Sequence, residues 1–465
     1  MNRWIAGNVM WPATERLCGR DTLARTRRLL THDRADAEQL RALQSQKLRN
    51  LLAHAERHCP YYAATFRSSG LDVRDPALSI EALRRLPTLT RSDITEHLDA
   101  MTTPAGPGGA PIPHTTGGST GEPLRFYIDR CRQSADWAAR FRARRWWGVR
   151  PGDPEVILWG APINTGGAER LRQWRDRLLN QYLFSAFDLT DKTMRRYCSR
   201  IREIEPACVY GYASSLGVLA RFAMDQNIEL RSPHLKGVFV TGEVLLDADC
   251  EAIETAFGAP VIVEYGSRDG GLTACQCPSG LLHVPMENLI VELLDEAGEP
   301  VADGEPGEVT ITYLELFAMP LIRYRIGDLA TRPASVGAPC HCGRSSDRLD
   351  KIQGRVTDHL VTKEGDTTRR MHALSVIYVL REIEGVKQFR VTQTTLERLE
   401  VDLVTDARFV AQSRERIIQG LQNRMGAQVE VLLRERDRIP PTASGKHACV
   451  VSALGIEGQR GKGAE

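Results

Sequence analysis

No run of this 465-residue sequence approaches the length of a membrane span, and the opening MNRWIAGNVMWPATERL lacks the apolar core and small-residue cleavage site of a signal peptide. A soluble, cytoplasmic protein is expected. Charge of one sign is missing too. Lysine and arginine number 61 against 59 acids, a formal net charge of +2, so no bulk field gathers nucleic acid or an anionic membrane, and small-molecule chemistry is the default. Cysteine is sparse and odd in number, eleven in all, without the density of a disulfide scaffold, which suits reduced thiols in a cytosol. Also missing is a Walker loop, because the GxxxxGK[ST] spacing fails and Glu122 stands where the lysine belongs.

What is there begins with Thr115 to Tyr127, TTGGSTGEPLRFY, where three glycines and several hydroxyls give way to an apolar strand. Gly117, Gly118 and Gly121 let backbone N–H groups turn toward an anion, and Thr116, Ser119 and Thr120 add hydroxyl donors, so the stretch is a phosphate-loop candidate. A Pro/Gly-rich approach, 103–113, precedes it. Upstream, Leu40, Leu43, Leu48, Leu51, Leu52 and Ala55 follow a helical period that Pro60 is expected to close. His54 and His58 share a face there, but without a third ligand they read as solvated or capping residues. Residues 83–98 read as a turn and then a helix capped at Thr90 or Ser92.

After the loop, strand and helix signals alternate: strands at 124–128, 156–159, 208–212 and 237–241, helices at 134–147, 215–224 and 247–257. This pattern predicts an α/β domain with helix-covered sheets and ligands at the carboxyl ends of strands. Three strand ends carry polar chemistry: Thr-Gly-Glu at 241–243, Tyr-Gly-Ser-Arg-Asp-Gly-Gly at 265–271, and Asp328 behind what reads as a Gly turn in LIRYRIGDLA. Past 350–358 (DKIQGRVTD) a smaller α+β unit is expected, with strands near 388–392, 399–404 and 428–433 and a helix at 408–425. In that helix Phe409, Val410, Ile417, Ile418, Leu421 and Met425 share one face. Two Cys-rich knuckles, CQCPSGLLH and CHCGR, supply Cys275, Cys277, His283, Cys340, His341 and Cys342. The best tetrahedral zinc set is Cys277, His283, Cys340 and Cys342, with Cys275 in reserve; four filled positions leave no room for a catalytic water.

Taken in order, TGGSTGEP at 116–123, YGSRDGG at 265–271, YRIGD at 324–328, GRVTD at 354–358 and PTASGK at 441–446 resemble the acyl-adenylate-forming enzymes, and in particular their phenylacetate-coenzyme A ligase branch. QKLRNLLAHAERHCPYY and LRRLPTLTRSDI resemble that branch's N-terminal helices. The resemblance implies a large adenylation domain over 1–354 and a mobile C-terminal domain over 355–456, and the Gly-rich, charged residues 457–465 are expected to form a disordered tail. It implies ATP-dependent activation of a small carboxylic acid, release of pyrophosphate, and acyl transfer to coenzyme A.

By the same resemblance, residues 116–121 hold phosphates, Gly242, Glu243, Glu264, Tyr265, Gly266 and Ser267 border the nucleotide, and Asp328 accepts the ribose hydroxyls. Arg355 assists at a hinge, Lys446 acts on the α-phosphate and carboxylate, and Asp269 holds magnesium where relatives carry glutamate. Tyr210, Tyr212 and Ala213, with Trp159, are candidates for the acid pocket. Thr357 stands where many relatives have the hinge aspartate, and TKEGD at 362–366 departs from their pantetheine-lining turn. An amine, an alcohol or a carrier thiol therefore remains as alternative acceptor, and an amide or ester synthase or an AMP-transferring synthetase as alternative enzyme. A homodimer is allowed.

Overall fold

The computed structural model begins with helices and then brackets the glycine-rich loop with an antiparallel pair, β1 (Ile112–Thr115) and β2 (Arg125–Ile128). Five strands and their crossover helices follow: β3 (Glu155–Trp159), β4 (Gln181–Ser185), β5 (Cys208–Tyr212), β6 (Gly237–Thr241) and β7 (Val261–Ser267). They run parallel in the order β4-β3-β5-β6-β7. Every residue of β5 and β6 is buried, as expected of apolar parallel strands with helices on both faces.

The chain then reverses. β8 (Gly271–Gln276) and β9 (Leu282–His283) add antiparallel neighbours to β7. A second sheet is a meander of β10 (Leu289–Leu294), β11 (Gly307–Tyr313) and β12 (Tyr324–Thr331). β13 (Arg348–Leu349) returns to pair with β9 and completes an eight-stranded sheet in the order β13-β9-β8-β7-β6-β5-β3-β4. One hydrophobic core joins Leu48, Leu51, Leu52, Phe66 and Phe126 to Ile311 and Tyr324 of the second sheet, and another fills the space between β3, β5, β6 and their helices.

The chain divides into two units, Met1–Gln353 and Gly354–Glu465. The second contains a four-stranded sheet of Glu430–Glu435, Arg398–Thr405, Val386–Thr395 and Val450–Ser452, in that order, and the helix Ala411–Met425 with Ile417, Leu421 and Met425 buried. The structure describes every residue except 77, 105, 117–123, 161–166, 187–188, 335–339, 356–358, 365–366, 373, 382, 441–448 and 453–465. At 167–172, 355, 359, 364, 367–372, 374–375, 378 and 381 only the backbone is described. Among the described residues no helix is long and apolar enough to cross a membrane.

Several local expectations change. The helix Ala37–His58 opens with a capping box between Asp36 and Gln39, but Pro60 is less its terminator than the first residue of the next helix, Pro60–Ser68. A proline at that position lacks only an N–H that would have been unpaired anyway. The helix expected from 408 starts at Ala411 because the Asp406 carboxylate accepts the Arg408 N–H at 2.9 Å, a local turn that competes with helix. Val410 is the N-cap and 54 % exposed, not part of the apolar face. The capped helix near 90 is Arg91–Glu96, with Thr90 and Asp93 forming a reciprocal box.

Candidate active site

In an open α/β sheet, ligands collect beyond the carboxyl ends of the strands, where the strand order reverses. Here the chain leaves β3 for β4 on one side and returns as β5 on the other, so the reversal lies between β3 and β5. Trp159 ends β3 and Tyr212 ends β5, their rings stacked with centroids 4.4 Å apart. Tyr210, two residues back and so on the same face, lies nearly parallel to Trp159 at 5.6 Å. Tyr210, Tyr212 and Ala213 are all buried. Tyr210 accepts a hydrogen bond from Arg140 Nη2 at 3.2 Å.

Next along the sheet, β6 ends at Thr241, and Gly242 takes a positive φ of 77°. This turn brings the Glu243 carboxylate back to accept the Ser214 N–H at 3.0 Å, which ties it to the start of the helix Ala213–Asp225. Glu264, in β7, is buried and ion-paired with Arg140 at 2.6 Å. Burial alone would raise its pKa, but Arg140 and then Arg144 hold it below the ordinary carboxylate value. Its charge is thus spent on the protein's own arginines.

The two motifs YGSRDGG and YRIGD meet through a reciprocal exchange. Tyr265 of the first donates its hydroxyl to Asp328 Oδ2 of the second at 3.0 Å, and Tyr324 of the second donates to Asp269 Oδ2 of the first at 2.7 Å. Ser267 donates to Asp269 Oδ1 at 2.7 Å, and its oxygen accepts the Gly270 N–H at 2.8 Å. Asp269 is buried, which would raise its pKa, yet the Ser267 and Tyr324 hydroxyls keep it below the ordinary value, so it stands as a carboxylate. Gly266 packs where a Cβ would lie 2.4 Å from the Gly271 carbonyl oxygen, so the hairpin closes only on glycine.

Asp328 does not follow a hairpin turn. Glu308 pairs with Leu329 and Thr310 with Arg325, so three residues of β12 face the single Val309 of β11, and Gly327 carries the bulge at φ 85°. A bulge of this kind lifts a side chain out of the ladder and re-aims it, here toward Tyr265.

At the near end of the loop, the Thr116 oxygen accepts from Arg91 Nη2 at 3.1 Å and from the Leu124 N–H at 3.0 Å, and Arg268 Nη1 donates to the Thr115 carbonyl at 3.0 Å. Gly117, Gly118, Ser119, Thr120, Gly121, Lys446 and Thr357 lie outside the described residues, and of Arg355 only the backbone, at the end of a strand Lys351–Arg355, is described.

Sequence reading missed the helix Arg130–Trp146 as a site element. Its Arg132, Asp136, Arg140 and Arg144, at strict four-residue intervals, meet the Arg268 carbonyl, the Leu272 N–H, Glu264 and Glu155. That spacing, polar where a buried helix should be apolar, was the available signal.

A second centre lies at the edge of the large sheet. Ligand atoms of Cys277, His283, Cys340 and Cys342 all fall within 4.8 Å of one another. Each knuckle is a tight turn in which a glycine of positive φ, Gly280 or Gly343, returns its N–H to the cysteine carbonyl three residues back. Cys277 and Cys340 Sγ are 3.8 Å apart, and Cys342 Sγ is 3.3 Å from His283 Nε2. His283 Nδ1 bonds Ser346 Oγ at 2.8 Å, which leaves Nε2 facing the thiols. Burial, then Arg344, Arg348 and Arg142, push its pKa down to about 3, so the ring is neutral and able to ligate. Cys275, the reserve ligand, instead packs against Ala138, Ala139 and Ala143 of the helix. His54, on the helix face set aside above, pairs with the Phe317 carbonyl at 3.0 Å.

Known proteins resemble this chain in sequence and in fold. Residues 360–453 match the CapK C-terminal domain. Protein CapK of Staphylococcus aureus is 24% identical over 419 residues, 89% of each chain, and a phenylacetate-coenzyme A ligase of Thermus thermophilus is 24% identical over 441 residues, 88% of this chain and 95% of that one. The fold matches that of a 2-hydroxyisobutyryl-CoA ligase in its postadenylation state, with a TM-score of 0.72 at 21% identity over 91% of both chains. In sequence the chain is similar to phenylacetate-coenzyme A ligases and to CapK, and its fold is that of the adenylate-forming ligases.

Proposed function

We propose that the protein uses ATP to convert a small carboxylic acid to an acyl-adenylate, releasing pyrophosphate, and then transfers the acyl group to coenzyme A. The observation that carries this reading is the reciprocal Tyr265–Asp328 and Tyr324–Asp269 exchange. It fixes two carboxylates at the mouth of the sheet, one suited to accept ribose hydroxyls and one to hold a cation beside phosphates. In this reading the acid lies along Trp159, Tyr210, Tyr212 and Ala213, and the phosphates lie against 116–121. Lys446 supplies positive charge where the carboxylate meets the α-phosphate, and Arg355 assists at the ribose or phosphates. Glu264 acts from behind, through Arg140 and Tyr210.

Asp269 fits a magnesium site, since it is ionised and its lone pairs outnumber the two hydroxyls and one backbone N–H that bond it. Magnesium there would neutralise charge on the phosphates. Cys277, His283, Cys340 and Cys342 fit structural zinc: the 3.8 Å sulfur–sulfur distance matches the edge of a tetrahedron with bonds of about 2.3 Å. A zinc there would cross-link the β8–β9 turn to the knuckle before β13. A cytoplasmic location suits eleven cysteines of which none is paired in a disulfide.

The deciding experiment is acid-dependent exchange of labelled pyrophosphate into ATP over a panel of carboxylic acids, followed by product analysis with and without coenzyme A. Exchange with at least one acid and a thioester only when coenzyme A is present is expected. Product formed with an amine or alcohol and no coenzyme A would move the acceptor; no exchange with any acid would remove the reaction. Lys446→Ala is expected to lower exchange by about two orders of magnitude while ATP binding persists.

A further inference from the structure

We propose that Arg132 is a positioning residue that clamps the hairpin between β7 and β8, and so sets where the Asp269 carboxylate stands. The inference rests on the reading of Asp269 as the cation-holding group of the adenylation site.

Arg132 lies in the first turn of the helix Arg130–Trp146 and is only 2 % exposed. A side chain that carries a permanent charge is buried this deeply only when its surroundings compensate it. Its Nη2 donates to the Arg268 carbonyl at 2.8 Å, at the hairpin apex and one residue before Asp269. One helical turn on, Asp136 stands 3.6 Å from Arg132 Nε, and its Oδ1 accepts the Leu272 N–H at 2.9 Å and the Tyr313 hydroxyl at 2.6 Å. The guanidinium also lies over the Tyr313 ring at 5.0 Å and the Phe126 ring at 5.8 Å.

The hairpin is thus held on both sides of Asp269, by Arg132 at 268 and by Asp136 at 272. Gly271, at φ 74°, presses onto the same pair: a Cβ there would come within 2.6 Å of Tyr313, 2.8 Å of Asp136 Oδ1 and 3.3 Å of Arg132 Nη2. Among the described residues Arg132 Nε and Nη1 have no hydrogen-bond partner. The arginine is therefore not there to saturate its own donors. A neutral residue would fill the same space at lower desolvation cost, and what the arginine adds is the hold on one backbone carbonyl.

The test compares Arg132→Met and Arg132→Lys with the full-length wild type, using amide hydrogen exchange over 264–276 and the magnesium dependence of pyrophosphate exchange. In Arg132→Met, exchange at 268–272 is expected to speed up by about five- to tenfold, and the magnesium concentration for half-maximal rate to rise by a similar factor, the equivalent of one lost buried hydrogen bond. Arg132→Lys keeps the charge and is expected to recover part of both. Should Arg132→Met fail to fold, Arg132→Lys against wild type makes the same comparison. Unchanged exchange at 268–272 in a folded variant overturns the clamp. Faster exchange with an unaltered magnesium dependence overturns its link to Asp269. If wild-type protein shows no pyrophosphate exchange with any acid, the proposed reaction fails, and the hydrogen-exchange arm still decides whether Arg132 holds the hairpin.

Discussion

Tyr265 and Tyr324 each give a hydroxyl to the other motif's aspartate, and the expected cost of removing one is specific. Tyr265→Phe leaves the ring and its packing, but Asp328 loses the donor that fixes one of its oxygens. ATP affinity should fall by about five- to tenfold, the net worth of one hydrogen bond, with a near-normal melting temperature, as read by calorimetric titration with ATP. An affinity equal to wild type would show that Asp328 is held by other means. Asp249 makes a different prediction. Buried on the helix Asp247–Phe257 and paired with Arg221 at 2.9 Å, it is pushed up to about 6, chiefly by burial, against which Arg221 works. A carboxyl whose folded pKa exceeds its unfolded value contributes stability below the unfolded value, and that stability is lost as pH rises through the folded one. Stability should therefore fall between about pH 4 and pH 6 by roughly 1–3 kcal/mol on this account. In Asp249→Asn, urea titrations across that range should show the slope flattened.

At the scale of the element, the Cys/His knuckles make the clearest demand. Purified protein should carry about one zinc per chain. Cys340→Ser with Cys342→Ser should lose the metal and lower the melting temperature by about 3 °C or more. Metal analysis and a thermal scan check both: a variant that keeps the metal would remove the zinc site, and one that loses it without melting lower would remove the cross-link.

Elements were also where the sequence could be read most easily. The helix Asp247–Phe257 and the strand Gly237–Thr241 lie where periodicity puts them, because their burial is one-sided or complete and their ends are marked by Asp and Gly. The bulge at Gly327 was hidden, since a glycine in a strand and a glycine in a turn look alike until the partner strand is known. The Arg132, Asp136, Arg140 and Arg144 stripe was hidden for the opposite reason. Charges on a helix normally mark its solvated face, and only the position of Glu264 and Glu155 on neighbouring strands turns them inward. The order of the motifs was legible, but the cross-exchange of their tyrosines was not, because it depends on two sheets meeting.

For the molecule as a whole, the division at Gln353 and Gly354 predicts that unfolding is not a single event. Calorimetry should resolve two transitions. ATP, most of whose proposed contacts lie on the first unit, should raise that unit's transition by more than the other's, which gains only through Arg355 and Lys446. A single transition that moves as one on adding ATP would mean that the units share their stability.

The helix Arg130–Trp146 has a further consequence for the chain. Four residues advance a helix by about 6 Å and slightly more than one full turn, so each charged side chain returns to about the same face. Its contacts run from β8 at Leu272 through β7 at Glu264 to β3 at Glu155. Deleting or inserting one residue between Arg132 and Arg144 would rotate everything beyond it by about 100° and strand the remaining charges against apolar neighbours. Variants of this protein can therefore change length in the surface turns between its strands, but within these thirteen positions, Arg132 to Arg144, the count itself is fixed, whatever residues fill the places between the charges.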